Sequence, residues 1–434
     1  MKKVLLSVAL LTATAVQAQQ SWTLKDCIDY AMQHNISLKK TELSKQQASE
    51  EVKDSKADLF PSLTASTNHS VGYSPWMDTS AGGKKSYYTG SYGLNAQWTV
   101  WNGSQNTKEI KMNKLAEEQA ALTLQEQANS IQESIAKLYV QILYTHEAIN
   151  VNRQSLEASK KNEERGQQML EVGKMSKADL AQLTAQRATD EYNLVAMETN
   201  LANYLMQLKQ LLEYNSHEAF DLAMPSASDE LALAPIPDLE QTYELALQHR
   251  PEIKNSELTL KTSELQVSYA KSGWSPTVTL NGAVGSSTSS RDSRTWNEQM
   301  KRNFDIVGGV GVSIPIFDNR RNKTAIRKAK LQQQQSMLDL YEERTDLHDV
   351  IEGYWLDAHS NQQKFRAAIV SVDSEQQSYD LLSEQFQLGL KNIVELMNGK
   401  TNLMQAQQNK LQSKYLTILT IQLLRFYQGE EMNI

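Results

Sequence analysis

Few side chains in this 434-residue chain could do chemistry, and they are scattered. There are seven His, but no H-E-x-x-H, the spacing that sets two imidazoles on one helix face around a metal. The single cysteine, Cys27, permits neither a disulfide framework nor a cysteine-based metal site, and it reads as a small buried residue on a short helix. Gly82-Gly83-Lys84-Lys85-Ser86 has the look of a phosphate loop. It lacks the G-x-x-x-x-G-K-[ST] spacing, however, and no strand leads into it, so it reads as an exposed loop. No nucleophile, base and orienting group come together. The expectation is a protein that is not an enzyme and uses no metal or cofactor. Two acids at corresponding places remain. Asp179 follows Ser176 by three residues and Glu395 follows Asn392 by three, each in the first turn of a helix. A carboxylate there is favoured by capping and by the helix dipole, which accounts for both acids without any binding site.

The elements that carry these acids occur twice. Residues 24–63 and 239–278 align without a gap and share Leu24/Leu239, Ala31/Ala246, Gln33/Gln248, His34/His249, Lys39/Lys254, Glu42/Glu257, Leu43/Leu258, Val52/Val267, Lys56/Lys271 and Pro61/Pro276. Ten identities in forty positions mark a tandem duplication. Residues 1–18 read as a secretory signal: Lys2 and Lys3, an apolar run from Val4 to Val16, then a small residue at Ala18 before Gln19. The first repeat then covers 19–222, a proline-marked linker 223–238, and the second repeat 239–434. His34 and His249, being repeat partners, read as helix-end packing or capping residues.

Within a repeat the hydrophobic period changes along the chain. From Leu24 to about Asp58 it is helical, with Ile28, Met32, Ile36 and Leu43 on one face. After Phe60-Pro61 it becomes strand-like through Leu63, Ala65, Thr67 and Val71. A polar loop, Tyr73 to Lys85, leads to a second run in which Tyr88, Gly90, Tyr92, Leu94, Ala96, Trp98 and Val100 share one face. Roughly 9–11 residues suffice for a tilted strand to cross a bilayer, with aromatics favoured at its interfaces. Trp98, Trp101 and Trp274 fit such strand ends, while Trp76 and Trp296 lie in polar loops. Asn102-Gly103 turns the chain into a helix from Gln105 to about Leu170, whose Ile131, Ile135, Leu138 and Ile142 form a narrow seam. At 1.5 Å per residue such a helix reaches about 100 Å, which suits a coiled coil rather than a globular core. Gly173 stops it, and another helix runs to about Glu213. In the second half the strands are expected at Val278 to Val284 and Ile306 to Ile316, with a polar loop Ser286 to Asn303 between them. Phe317-Asp318-Asn319 answers Trp101-Asn102-Gly103. A long helix runs to about Phe386, Gly389 answers Gly173, and a last helix follows.

Four strands with one apolar face cannot close a barrel, and open edges are not tolerated in hydrocarbon. Several copies must pool their strands: eight from a dimer, twelve from a trimer. The helices, with Gln, Glu, Lys and Ser around a thin seam, fit a solvated coiled coil or a hollow helical barrel wet on both sides. A net charge of -7 without a Lys/Arg-rich block gives no reason to expect nucleic acid.

The repeated strand pair, Pro315 to Asn319 (PIFDN), and the segments LEVGKMSKADL (170–180) and QLGLKNIVEL (387–396) together resemble the TolC-like outer-membrane efflux protein family over nearly the whole mature chain. The fold class expected is mainly α with membrane β. The resemblance implies a homotrimer with a twelve-stranded barrel in the outer membrane of a Gram-negative bacterium. Long antiparallel helices would continue below it as a periplasmic α-barrel. It also implies a passive exit duct that docks to a periplasmic adaptor protein and an inner-membrane pump. The helix-turn tips around Gly173 and Gly389 would form the periplasmic entrance. Glu395 and Asn398 match positions that often carry an acid ring. Lys391 matches a basic residue that can hold the entrance shut, with Asp179 on the neighbouring helix pair as its partner. The alternative is a non-conducting trimeric coiled-coil scaffold or surface adhesin, which would have no use for lipid-facing Tyr92 and Trp98.

Overall fold

A computed structural model describes residues 21–77, 84–215 and 220–433. The expected signal segment and the core of the Gly82–Ser86 loop lie outside the described residues. Contacts group the chain into two units, each drawn from both repeats: one up to Leu38 with Ala128–His249 and His348–Ile434, the other Lys39–Gln127 with Arg250–Leu347.

The second unit holds the sheet. Strands β1 (Ser62–Tyr73), β2 (Ser86–Asn102), β3 (Thr277–Ser289) and β4 (Asp305–Ser313) pair antiparallel in chain order. Residues directly opposite one another share a face, so the register shows whether the apolar sides line up. They do. Leu63, Ala96, Gly282 and Gly308 form one cross-strand row, Ala65, Leu94, Val284 and Ile306 the next, and Trp98, Leu280 and Val310 a third. The alternate rows carry Ser62, Gln97 and Asn281, or Thr64, Asn95 and Ala283. Ile306, Val310 and Val312 stay exposed in the single chain. Among the described residues, β1 and β4 each keep one edge without a strand partner.

The strand β4 stops at Ser313, so Ile314 and Ile316 fall outside it. Pro315 has no N–H to give a ladder, and fixes φ besides. The expected loop from Ser286 to Asn303 is also corrected: β3 runs on to Ser289, and Trp296–Arg302 form a short helix. A complete capping box, Thr295 with Glu298, starts that helix, and Trp296 is its first residue rather than a loop residue. The turns leaving the sheet keep the duplication. Gly103 and Ser104 at φ +67° and +65° are answered by Asn319 and Arg320 at +51° and +70°.

Among the described residues the α-helices are, in chain order, α1 Leu24–His34, α2 Ile36–Ala57, α3 Gln105–Glu171, α4 Lys177–Leu212, α5 Asp229–Ala232, α6 Leu239–His249, α7 Pro251–Lys271, α8 Trp296–Arg302, α9 Arg321–Gln387 and α10 Ile393–Tyr427. The stretch read as one helix from Leu24 to Asp58 is two, because Asn35 intervenes. Its Oδ1 accepts the N–H of Leu38 at 3.2 Å and its amide donates to the Leu211 carbonyl at 2.9 Å. Pro251 at the first position of α7 makes the equivalent break. The buried face of α1 is Leu24, Cys27 and Ala31, while Ile36 and Leu43 are exposed. Burial pushes the Cys27 thiol up to about 12, so it stays protonated and unreactive. His34 closes α1 by bonding the Tyr30 carbonyl at 3.0 Å.

In the first unit Ile131, Ile135 and Ile142 of the expected seam are buried, while Leu138 is half-buried. The proline-marked linker is docked rather than free. Gln362 of α9 donates to the carbonyls of Ala232 and Ala234 at 3.0 and 2.9 Å, and Tyr139 of α3 donates to Ala223 at 2.7 Å. Lys410 and Lys414 of α10 hold Asp229 at 3.2 and 3.0 Å, and their ammonium groups keep its carboxyl below the usual range against the opposing effect of burial.

Candidate functional site

The two helix-helix turns are built alike. Gly173 and Gly389 lie at φ +72° and +75°, and a Cβ at either would meet nothing within 4 Å. Backbone conformation, not crowding, therefore requires glycine at these two positions. The next N–H, of Lys174 or Leu390, reaches back to the carbonyl of Met169 or Gln385 at 2.8 or 2.9 Å, closing a Schellman turn. Ser176 then caps α4 and Asn392 caps α10, each accepting the N–H of the acid three residues on.

The acids differ in what their carboxylates do. Asp179 accepts the Ser176 hydroxyl at 2.8 Å. Glu395, one methylene longer, reaches back to the Asn392 N–H at 3.4 Å and completes the capping box. It also takes the Lys391 ammonium at 2.8 Å. That hydrogen bond is the first cause holding the Glu395 carboxyl below its ordinary range. Within one chain, then, Lys391 bonds Glu395 and not Asp179. Asn398 is exposed, three residues after Glu395. Val172, Leu388 and Leu390 at the turns are exposed apolar side chains at 68%, 74% and 70%.

Beneath the turns, Leu183 of α4, Phe386 of α9 and Ile393 and Leu396 of α10 form one buried cluster, flanked by Met175, Tyr379 and Met397. The two turns thus sit on a common apolar base. Close helix approach sets the spacing of each hairpin. A Cβ at Gly166 of α3 would stand 2.5 Å from Leu183 Cδ1, and one at Gly399 of α10 would stand 2.6 Å from Leu382 Cδ1. These are the same two places 216 residues apart, with glycine and leucine exchanged between the helices.

Next to this base lies a group that the sequence reading missed. The Lys400 ammonium of α10 bonds the Asp190 carboxylate of α4 and the Ser159 hydroxyl of α3, and Ser159 also bonds Asp190. The other carboxylate oxygen accepts the Gln186 amide at 3.1 Å. A signal was present: Ile393, Leu396, Lys400 and Leu403 fall at seam spacing, and a charge at a seam position needs a partner. Among the described residues, donors within 4.8 Å of one another that could hold a metal are found at His348, Asp349 and Glu352 on α9. His348 Nδ1 there lies 3.8 Å from a carboxylate oxygen of each acid, the second at the ordinary i,i+4 spacing of a helix surface.

The chain matches the family described as Outer membrane efflux protein over residues 27–213 and 242–430, one match in each repeat. Outer membrane efflux protein BepC of Brucella suis is 22% identical, over 95% of this chain and 87% of its own length. The Toluene efflux pump outer membrane protein TtgC of Pseudomonas putida is 23% identical, over 92% and 82%. Among solved structures, CusC covers 94% of this chain and 92% of its own at 17% identity with TM-score 0.81. VceC from Vibrio cholerae covers 94% and 97% at 17% identity with TM-score 0.76. With both repeats matched, this chain belongs to the outer membrane efflux protein family, an outer-membrane channel family and not a family of enzymes.

Proposed function

We propose that three copies of this chain assemble into the passive exit duct of a tripartite efflux or secretion system. The observation that carries this reading is the sheet with aligned apolar rows, in which β1 and β4 each keep, among the described residues, one edge without a strand partner. A free edge cannot face lipid, so β1 of one copy must meet β4 of another until the sheet closes. Two copies would give eight strands, a barrel whose interior its own side chains fill; three give twelve and leave a lumen. A scaffold or adhesin would gain nothing from rows such as Trp98, Leu280 and Val310.

The helices then form the periplasmic part of the duct, with the turns at Gly173 and Gly389 as its entrance. Glu395, threefold repeated, presents a carboxylate ring to passing cations, and Asn398 continues the lining as a neutral step. Lys391 moves between Glu395 and Asp179 on the neighbouring helix pair, the second contact holding the entrance shut. Exposed surface ion pairs of this kind exchange at small cost. Val172, Leu388 and Leu390 offer the apolar contacts through which a periplasmic adaptor docks, and the inner-membrane pump behind it supplies the energy and chooses the cargo. Native mass spectrometry of the detergent-extracted protein is expected to show three copies. Recovery as a monomer in the soluble periplasmic fraction would overturn the reading.

A further inference from the structure

We infer that the short helix α8 and the sheet beneath it form a seat for a phosphorylated glycolipid of the outer leaflet. Its acyl chain lies in a cleft beside Phe304, and its phosphate meets Lys301 and Arg302. The inference goes beyond the duct reading and rests on that reading's lipid-facing sheet.

Chain order places α8 between β3 and β4, at the strand ends from which no long helix leaves. Three bonds lay it on the sheet. The Ser286 hydroxyl donates to the Met300 carbonyl at 2.8 Å, the Ser289 N–H to the Gln299 side chain at 2.7 Å, and the Asn303 amide to the Ser287 carbonyl at 2.6 Å. The face it covers is the apolar one. Tyr92 and Ser286 are cross-strand partners two residues along from the pair Leu94 and Val284, and residues two apart in a strand share a face. Trp296 meets the Tyr92 ring edge-on with centroids 6.1 Å apart, and His69 packs against both Tyr92 and Tyr88. Such a belt of amphipathic rings marks the level where hydrocarbon gives way to head groups.

Beside this belt a cleft of about 400 Å³ opens on the same face. It lies between Thr67, Leu94, Val284 and Ser286 on the sheet and Met300 and Phe304 above them. Phe304 and Trp296 are exposed, so an apolar wall stands open to the surroundings. Neighbouring copies of a closed barrel join at the edges of β1 and β4, whereas the cleft spans the faces of β1, β2 and β3. Lipid, not a second copy, therefore reaches it.

Charge selects which lipid. Lys301 and Arg302 end α8, both exposed and, among the described residues, with no carboxylate within 4 Å. The acids nearby in sequence are engaged or turned away. Asp292 pairs with Arg294, and Glu298 takes the Thr295 N–H at 2.9 Å. Asp305 belongs to the opposite face, in a row with Ser66, Gly93 and Gly285. A phosphate supplies the missing anion, and a guanidinium can take it with two parallel bonds. Apolar wall and free cations together fit one amphiphile, an acylated sugar bearing phosphate.

Native mass spectrometry of the detergent-extracted assembly, titrated with lipid A or with lipid A stripped of its phosphates, tests the seat. The parent is expected to hold the phosphorylated form more tightly. Two cations beside an anionic lipid surface are together worth about thirtyfold in affinity, so Lys301→Gln combined with Arg302→Gln should weaken lipid A by about that factor and leave the stripped lipid unchanged. Phe304→Asn should weaken both forms alike. Lys328→Gln with Lys330→Gln, which removes two exposed charges from α9, should alter neither. In cell envelopes, benzoyl-phenylalanine substituted for Phe304 should cross-link to the glycolipid. A cross-link to a second copy of the chain overturns the inference. So do equal binding of the two lipid forms by the parent, displacement of lipid A by excess inorganic phosphate, or unchanged lipid A binding in the double variant. These outcomes leave the duct reading standing, whereas a chain that stays soluble without detergent overturns the duct reading and the lipid seat with it.

Discussion

Removing the Lys400 side-chain charge while leaving Asp190 in place perturbs the base of the two helix turns at one defined bond set. In Lys400→Met the stem volume is largely kept, so the loss is electrostatic rather than a cavity. Breaking a buried pair by removing one partner costs about 3–5 kcal/mol. One feature places the figure within that range. Ser159 and Gln186 still donate to the carboxylate, which favours the lower half of that range. The expected local destabilisation is therefore about 3–4 kcal/mol, or roughly two to three orders of magnitude in an opening equilibrium. Native-state hydrogen exchange reads that equilibrium directly. Peptides covering 183–194 and 393–406 should lose protection by that factor, whereas peptides from the sheet should not change. A loss of protection below about tenfold in those two peptides, or an equal loss everywhere, would refute the reasoning.

The remaining predictions concern the turns and the sheet. Gly173→Ala and Gly389→Ala should each cost about 1–2 kcal/mol through the left-handed backbone alone, seen as faster exchange confined to the turn, since nothing obstructs the added methyl. Lys391→Ala and Asp179→Ala should each raise single-channel conductance in planar bilayers; unchanged conductance in both would leave the two acids as helix caps only. Glu395→Gln should weaken block by multivalent cations. Because the Glu395 carboxyl is held below its ordinary 4.5, the charge it contributes is fully present above that value and is lost only as pH falls further, so block should persist from pH 7 down through pH 5. Leu94→Lys, on an apolar row, should cost about 2–4 kcal/mol and prevent recovery in the outer-membrane fraction, while Asn95→Lys on the opposite face should not.

Much of this architecture was legible because it is written in periods. Strict alternation over Tyr88 to Val100 specified β2, and the gapless repeat specified that its partners would recur. The glycines at 173 and 389 marked the turns because a left-handed residue leaves a trace in residue type. Asn35 hid its break because an Asn inside a helical pattern looks like any polar position, and its role depends on the distant Leu211 carbonyl. The helix at Trp296–Arg302 was missed among Ser, Arg and Asn, although Thr295 and Glu298 carried its start signal. At the candidate site, Asp179 and Glu395 were visible as first-turn acids, but their different bonds follow from one methylene of length. Asp190 and Lys400 are 210 residues apart, and only folding brings them together.

Single-channel recording on the purified protein in planar lipid bilayers tests the central claim most directly. The account predicts stepwise, ohmic conductance with no energy source, in units that require three copies and that change with Lys391 and Glu395. A protein that inserts and remains electrically silent, in the parent and in Lys391→Ala alike, would contradict it.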